Sequence, residues 1–268
     1  MIIDFHTHIW PEKIAARAVE SLVKGSGGIY PPVSDGTLAG LLNNMNTWKI
    51  DYSVLQPVVT KESQVESTNL WVAEIQNQYK NQIVSFGGIW PHSENYKEQI
   101  DFVVSLGLKG IKFHPEYQNF LVDEDRFLKI YDYALSKGLI LIFHAGFDPA
   151  YPPPFKTSPA QFAKIADSMQ GGVIVAAHLG GSQQWDLVEK DLCGKNIYLD
   201  TAMGFDFYSG EQFLRIVKNH GAEKVLFGTD SPWSSGKTEL EKLFALDLPE
   251  ETKNQIAGLN AKRIFSAP

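Results

Sequence analysis

Short runs of apolar residues alternate with helical patterns along the whole chain. The runs are nearly continuous in Val, Ile, Leu and Phe, which is typical of parallel strands that are covered on both faces. The segments between them repeat apolar positions at spacings of three and four, as amphipathic helices do. We predict eight strands, at residues 2–8, 52–58, 83–90, 108–114, 139–144, 173–178, 196–201 and 225–230.

The helical segments support a barrel of repeated β/α units. Thr37 and the pair Ser158-Pro159 supply amino-terminal capping signals, and apolar stripes cover residues 38–45, 127–135 and 162–169. Eight β/α units predict a single domain, residues 1–268, folded as a (β/α)8 TIM barrel. A doubly wound open sheet is the alternative. It would gather ligand groups at one switch point, whereas here they follow several different strands.

Two long connections leave from the predicted carboxyl ends of strands. Residues 9–37 form an excursion after the first strand, with a short helix at about 12–24 followed by a segment containing Gly and Pro. Residues 147–158 are rich in proline. Because barrel active sites lie at this end of the strands, each connection either walls a site or is an ordinary surface loop.

Composition narrows the classes of function. The net charge is −7 and no basic cluster is present, which argues against partners such as nucleic acid or an anionic membrane. A single cysteine, Cys193, excludes an intramolecular disulfide. No apolar run approaches transmembrane length, and no signal peptide precedes the first strand. We therefore expect a cytoplasmic protein that acts on a small molecule.

Histidine and aspartate stand where several predicted strands end. His6 and His8 are two positions apart, so they would project side by side from one face of the first strand. His144 ends the fifth strand and Asp230 the eighth. Three imidazoles and a carboxylate suit a divalent metal, which we expect to be zinc, with Mn, Fe or Co as alternatives. Such an ion lowers the pKa of bound water to about 7 and so provides a nucleophile.

Two further residues at strand ends are candidate catalytic groups. His178 precedes a Leu-Gly-Gly sequence. It either moves a proton and polarises the substrate, serves as another metal ligand, or packs. Lys112 would point into the barrel, where an unpaired cation is costly. It either binds a substrate carboxylate, bridges two metals after carboxylation, or extends to the rim of the barrel.

Other residues near the strand ends have two interpretations each. His114 either lines the pocket or packs, and Asp4 and Asp200 either accept a hydrogen bond from a ligand imidazole or pack. Aromatic residues near the strand ends either wall a pocket for a flat or cyclic substrate or fill space between loops. They are Trp10, Trp90, Tyr117, Phe147, Phe205, Phe207, Tyr208 and Trp233.

Five motifs, in this order, resemble the amidohydrolase superfamily. More narrowly, the chain resembles the predicted metal-dependent hydrolases that include the aminocarboxymuconate semialdehyde decarboxylase group. The resemblance covers essentially the whole chain. The motifs are Asp4-Phe-His-Thr-His8, Gly107–Pro115, Phe143–Gly146, Ala177–Gly181 and Phe227–Trp233.

The resemblance implies a (β/α)8 barrel with one or two divalent metals at its top. It implies that His6, His8, His144 and Asp230 are ligands, that Asp230 also carries a proton, and that His178 polarises water or substrate. In this branch it implies a mononuclear site with Lys112 unmodified. A homodimer is common among similar proteins.

The resemblance leaves the reaction open between two classes. Our leading prediction is a metal-dependent hydrolase of a small cyclic amide, ester or lactone; the alternative is a non-oxidative decarboxylase of an aromatic or unsaturated carboxylic acid. The resemblance implies that such decarboxylases often hold the substrate carboxylate with an early arginine. This chain has no arginine between Arg17 and Arg126, so Lys61 or Lys112 would have to substitute.

Two other classes fit the sequence less well. A metal-dependent nuclease of the Tat-D type also begins with His-X-His, but it usually has an acidic signature where this chain has Gly110-Ile-Lys112. The acidic net charge also disfavours a nuclease. A non-enzymatic metal-binding barrel is the remaining class, and nothing in the sequence requires it.

Overall fold

The computed structural model describes residues 1–169 and 171–266, and the predicted alternation of strands and helices is present within them. Every predicted strand is found, but each is shorter than predicted, at its carboxyl end or at both ends. The strands are β1 Ile3–Thr7, β2 Tyr52–Leu55, β3 Ile83–Ser85, β4 Gly110–Phe113, β5 Ile140–Phe143, β6 Ile174–Ala176, β7 Tyr198–Asp200 and β8 Val225–Leu226.

The strands follow one another around a barrel. Parallel ladders join β1-β2-β3 and β4-β5-β6-β7-β8, and isolated parallel bridges join Gly87 with Ile111 and Thr7 with Ser231. At the second seam, the backbone N–H of His8 donates to the carbonyl oxygen of Ser231 over 2.7 Å. The prediction of a (β/α)8 barrel is confirmed, and the doubly wound alternative is wrong.

Helices occupy the connections between the strands. The two capping predictions are confirmed, since Thr37 Oγ1 accepts from Gly40 N and Ser158 Oγ accepts from Gln161 N. The helices are α1 Glu12–Gly25, α2 Leu38–Trp48, α3 Val65–Gln78, α4 Tyr96–Ser105, α5 Pro115–Gln118, α6 Asp125–Ser136, α7 Pro159–Ser168, α8 Trp185–Leu187, α9 Gly210–His220, α10 Gly236–Ala245, α11 Glu250–Asn254 and α12 Asn260–Ser266. Among the described residues, no helix is both long and apolar enough to cross a membrane.

The apolar core lies on both faces of the strands. Along β5, Ile140 and Ile142 belong to a smaller cluster, whereas Leu141 and Phe143 belong to the larger cluster that contacts the outer helices. This alternation follows from the two-residue period of a strand. The smaller cluster is therefore the inner layer of the barrel, and the side chain that continues its face beyond β5 is that of His144.

Candidate metal centre and active-site cavity

The structure brings His6, His8 and Asp230 together at the carboxyl end of the barrel. An irregularity in the register of β1 lies between Asp4 and Thr7, beside both histidines. His6 Nε2 lies 3.1 Å from His8 Nε2, and Asp230 Oδ1 lies 3.4 Å and 3.1 Å from these two nitrogens. Ligand atoms about 2.0–2.1 Å from one tetrahedral ion are about 3.3 Å apart. The three atoms therefore have the spacing that a single metal ion requires.

The imidazoles of His6 and His8 are each held in orientation by a hydrogen bond from Nδ1, the ring nitrogen that does not face Asp230. His6 Nδ1 donates to Asp200 Oδ2 over 2.8 Å, and His8 Nδ1 donates to the backbone oxygen of Gln56 over 2.7 Å. A neutral imidazole with its hydrogen on Nδ1 has its lone pair on Nε2. Both lone pairs therefore face the same point, an arrangement typical of metal-binding histidines. These residues fit a divalent metal ion.

Asp230 is held in an unusual backbone conformation beside this point. Its φ of 60° lies in the left-handed region, which aspartate adopts more readily than most residues. Its backbone N–H donates to the carbonyl oxygen of His6 over 2.8 Å. Burial alone would raise the pKa of Asp230, but positive charge at His6 and His8 outweighs that effect and holds the pKa below its ordinary value, and a cation bound to the same nitrogens would act in the same direction. Asp230 is therefore a carboxylate, as a ligand must be.

Asp4 and Asp200 have different positions. Asp200 accepts from His6 Nδ1 and also from the backbone N–H of His178 over 2.9 Å. Asp4 instead accepts from the hydroxyl of Thr229 over 2.6 Å, and burial raises its pKa to about 7. Of the two aspartates, Asp200 is the one that contacts a candidate ligand imidazole, and Asp4 holds the turn before Asp230.

The imidazoles of His178 and His144 lie beyond that of His6, so that the rings form a row. The ring centroids of His6 and His178 are 5.3 Å apart, and His178 Nε2 lies 3.0 Å from His144 Nδ1. His178 Nδ1 donates to the backbone oxygen of Ala202, so the hydrogen between the two rings belongs to His144 Nδ1. His144 Nε2 is then buried without a hydrogen-bond partner among the described residues. His178, His6 and Asp230 also form a compact potential ligand group, which keeps both predicted roles of His178 open.

Lys112 lies at the centre of the site. Its Nζ is 2.9 Å from His6 Nε2 and 3.1 Å from Gln56 Oε1, and the residue is 1% exposed. The prediction that this lysine extends to the rim is therefore wrong, because Ile111 and Phe113 face outward and turn Lys112 inward. Burial lowers its pKa to about 8, although Asp230 and Asp200 oppose that shift.

A cavity of about 600 Å³ opens above these residues. Parts of both long connections line it, so the segments 9–37 and 147–158 do wall the site. Half of the predicted aromatic wall is present, namely Trp10, Tyr117, Phe147 and Trp233. The other predicted aromatic residues are not among the lining residues: Trp90, Phe205, Phe207 and Tyr208. Lining residues that the sequence analysis missed include Tyr30, Gln56, Trp71 and Asp148.

His114 lies on the cavity wall, beside the row of imidazoles. Its ring stacks on that of His144 with centroids 4.3 Å apart and planes 10° apart, and the Tyr117 ring stacks on it with centroids 3.7 Å apart. Its Nε2 lies 3.4 Å from Asp148 Oδ2. Of the two interpretations of His114, the structure supports the one that places it at the pocket.

The fold and the site define a TIM-barrel enzyme with a candidate centre for a divalent metal. The chain belongs to the amidohydrolase family, whose sequence profile matches residues 3–267. This match confirms the superfamily resemblance of the motifs. No curated protein matches the sequence.

Solved structures with the same barrel are distant in sequence. An uncharacterized TIM-barrel protein from Bordetella bronchiseptica superposes with a TM-score of 0.80 at 20% identity, covering 99% of this chain and 98% of the other. 5-Carboxyvanillate decarboxylase from Sphingomonas paucimobilis has a TM-score of 0.71 at 15% identity, covering 100% and 99%. The enzyme of that name from Novosphingobium aromaticivorans, complexed with manganese and 4-hydroxy-3-methoxy-5-nitrobenzoic acid, has a TM-score of 0.72 at 14% identity, covering 100% and 96%. At these identities the likeness establishes the fold alone.

Proposed function

We propose that this protein is a metal-dependent, non-oxidative decarboxylase of an aromatic carboxylic acid. The observation that carries the proposal is the position of Lys112, whose amine lies beside His6 at the base of a cavity with aromatic walls. At the level of sequence, the absence of an early arginine favoured hydrolysis over decarboxylation. A buried lysine in this position supplies the cation that a substrate carboxylate needs, which removes that objection.

The chain's own residues account for the main requirements of decarboxylation. His6, His8 and Asp230 would hold the metal, and His144 is the further ligand that we predict. When bound, the metal supplies positive charge that stabilises negative charge developing on the substrate. Lys112 Nζ binds the carboxylate, and the aromatic walls exclude water from it.

Loss of carbon dioxide breaks the bond between the ring carbon and the carboxyl carbon and leaves the electron pair on the ring. The ring carbon then takes up one proton in place of the carboxylate. Asp230 and His178 are the candidate carriers of that proton, and both lie at the cavity. We assign proton transfer to this pair.

Manganese is the metal that we propose to test first. Zinc was the expectation from sequence, but imidazole and carboxylate ligands suit several divalent ions, and availability decides among them. The Novosphingobium decarboxylase with the same barrel was solved with manganese. Hydrolysis of a cyclic amide, ester or lactone is the second candidate, favoured by the match to the amidohydrolase family.

The two reactions are separated by their products. Protein loaded with Mn²⁺ or Zn²⁺ is incubated with hydroxybenzoic acids and, separately, with small lactones, while released carbon dioxide and ring-opened acid are both quantified. We expect carbon dioxide from at least one aromatic acid and none after chelation. Lactone opening without carbon dioxide from any acid would contradict decarboxylation and favour hydrolysis.

A further inference from the structure

A second polar group lies on the cavity wall and is formed by His114, Tyr117 and Asp148. We call it the wall group. Asp148 comes from the connection after β5 and is 5% exposed, yet it lines the cavity. Its Oδ1 accepts from the backbone N–H of Ala150 over 2.8 Å, and its Oδ2 faces His114 Nε2 at 3.4 Å. The carboxylate is therefore fixed in position while remaining accessible from the cavity.

The partners of Asp148 within the protein are neutral. The backbone N–H of Tyr117 donates to His114 Nδ1, so the neutral ring carries its hydrogen on Nε2, which faces Asp148. The Tyr117 hydroxyl also approaches this carboxylate. Among the described residues, no lysine or arginine lies within ion-pair distance of Asp148. A buried carboxylate without a cationic partner is costly unless further donors satisfy its oxygens.

A second metal ion does not fit this group. The candidate donor atoms of His114, His144 and Asp148 lie within 4.8 Å of one another. However, an imidazole binds a metal in the plane of its ring, and the rings of His114 and His144 are stacked nearly parallel at 4.3 Å. An ion in the plane of one ring would lie well outside the plane of the other. The wall group is therefore suited to hydrogen bonding.

We propose that Asp148 accepts a hydrogen bond from a hydroxyl or amino group on the substrate ring. Such a group would add a donor from the cavity side to the neutral donors that the protein supplies. The negative charge of the Asp148 carboxylate would reject a ligand that carries a second carboxylate on that side of the ring. The inference deepens the proposed function and rests on it only in taking the ligand to be an aromatic acid.

Matched pairs of benzoates test this assignment by binding. We would measure dissociation constants by calorimetry for benzoate, 3- and 4-hydroxybenzoate, and 3- and 4-methoxybenzoate on metal-loaded protein. A methoxy group has no hydrogen to donate, so the wild-type protein should bind one hydroxybenzoate at least about tenfold more tightly than its methyl ether. In Asp148→Asn, a side-chain NH₂ replaces an acceptor, and this preference should disappear or reverse.

Glu116→Gln is the matched control. Glu116 is a neighbouring buried acid that accepts from the backbone N–H of Lys156 and is not among the cavity-lining residues. It should keep the wild-type preference. Equal binding of hydroxy and methoxy compounds by the wild-type protein would overturn the role of Asp148 while leaving an aromatic-acid site intact. Absence of binding by every benzoate would overturn the proposed substrate class, and the Asp148 assignment with it.

Discussion

Nζ of Lys112 lies 2.9 Å from Nε2 of His6, the same nitrogen that faces His8 and Asp230. A lysine amine and a metal ion cannot both use one lone pair. When a metal binds His6, the amine is left with Gln56 Oε1, at 3.1 Å, as its partner, and it becomes available to an anion in the cavity. The candidate metal centre and the proposed carboxylate site are therefore adjacent, and we expect occupation of the first to free the amine for the second.

Lys112→Met should separate the binding of a substrate carboxylate from the binding of the metal. Methionine keeps the length of the side chain but removes the charge, so kcat/KM for a carboxylate substrate should fall about 10- to 100-fold. Metal content, measured by mass spectrometry, should not fall, because Lys112 is not expected to be a ligand. Lys109→Met, at an exposed position just before β4, is the control. A parallel loss of metal and activity would instead place Lys112 in the metal centre.

Asp200→Asn should weaken metal binding. Asp200 accepts from His6 Nδ1 and from the backbone N–H of His178, so it fixes the ring whose Nε2 faces the site. Loss of such a partner typically reduces metal affinity about 10- to 100-fold, and we expect that range in a competition titration with a chelating dye. Asp167→Asn, on the exposed face of α7, should leave affinity unchanged. Unaltered affinity in Asp200→Asn would show that His6 does not depend on this hydrogen bond.

Asp230→Asn should remain folded and lose activity. Asparagine tolerates the positive φ of this position as well as aspartate does, so thermal unfolding should change little. The amide is a poorer ligand and cannot carry the proton, so turnover should fall at least about 100-fold. Unchanged turnover in the metal-loaded variant would remove Asp230 from the mechanism.

The repeated pattern of the chain was enough to predict the barrel and the end at which its site lies. Buried strands form short continuous apolar runs, whereas amphipathic helices repeat apolar positions at spacings of three and four, so β1 to β8 could be placed from sequence. The convergence of His6, His8 and Asp230 also follows from this topology, because the carboxyl ends of parallel strands meet. The single-domain and homodimer predictions stay predictions, as do the individual ligand and catalytic assignments.

What the sequence could not provide depends on side-chain packing. Gln56 follows β2 and orients both His8 and Lys112, yet a glutamine after a strand carries no distinctive signal. Asp148 lies in a proline-rich connection, and only the folded chain brings it to His114. Phe205 and Tyr208 adjoin a strand end but pack on Phe213 of α9 instead. The sequence predicts where a strand ends, whereas the packing of the loops determines which of the side chains after that strand reach the cavity.

Glu239 should make folding stability depend on pH. Burial raises the pKa of this α10 carboxyl to about 7, although the hydrogen bond from Ser234 opposes the shift. In the unfolded chain the carboxyl loses its proton at about pH 4.3. Between these two pKa values the unfolded chain binds fewer protons than the native protein. Glu239 therefore lowers the free energy of unfolding as pH rises from about 4.5 to 7, and this loss of stability is complete above pH 7.

Glu239→Gln removes this penalty because the amide does not ionise. The free energy of unfolding of the variant minus that of the wild-type protein should be about 1–3 kcal/mol larger at pH 8 than at pH 4.5. Urea unfolding of both proteins at the two pH values measures this difference. Other titrating groups cancel in the difference between the two proteins. Glu241→Gln, at an exposed position on the same helix, should show no such change. A Glu239→Gln difference that is identical at the two pH values would mean that folding does not raise the pKa of Glu239.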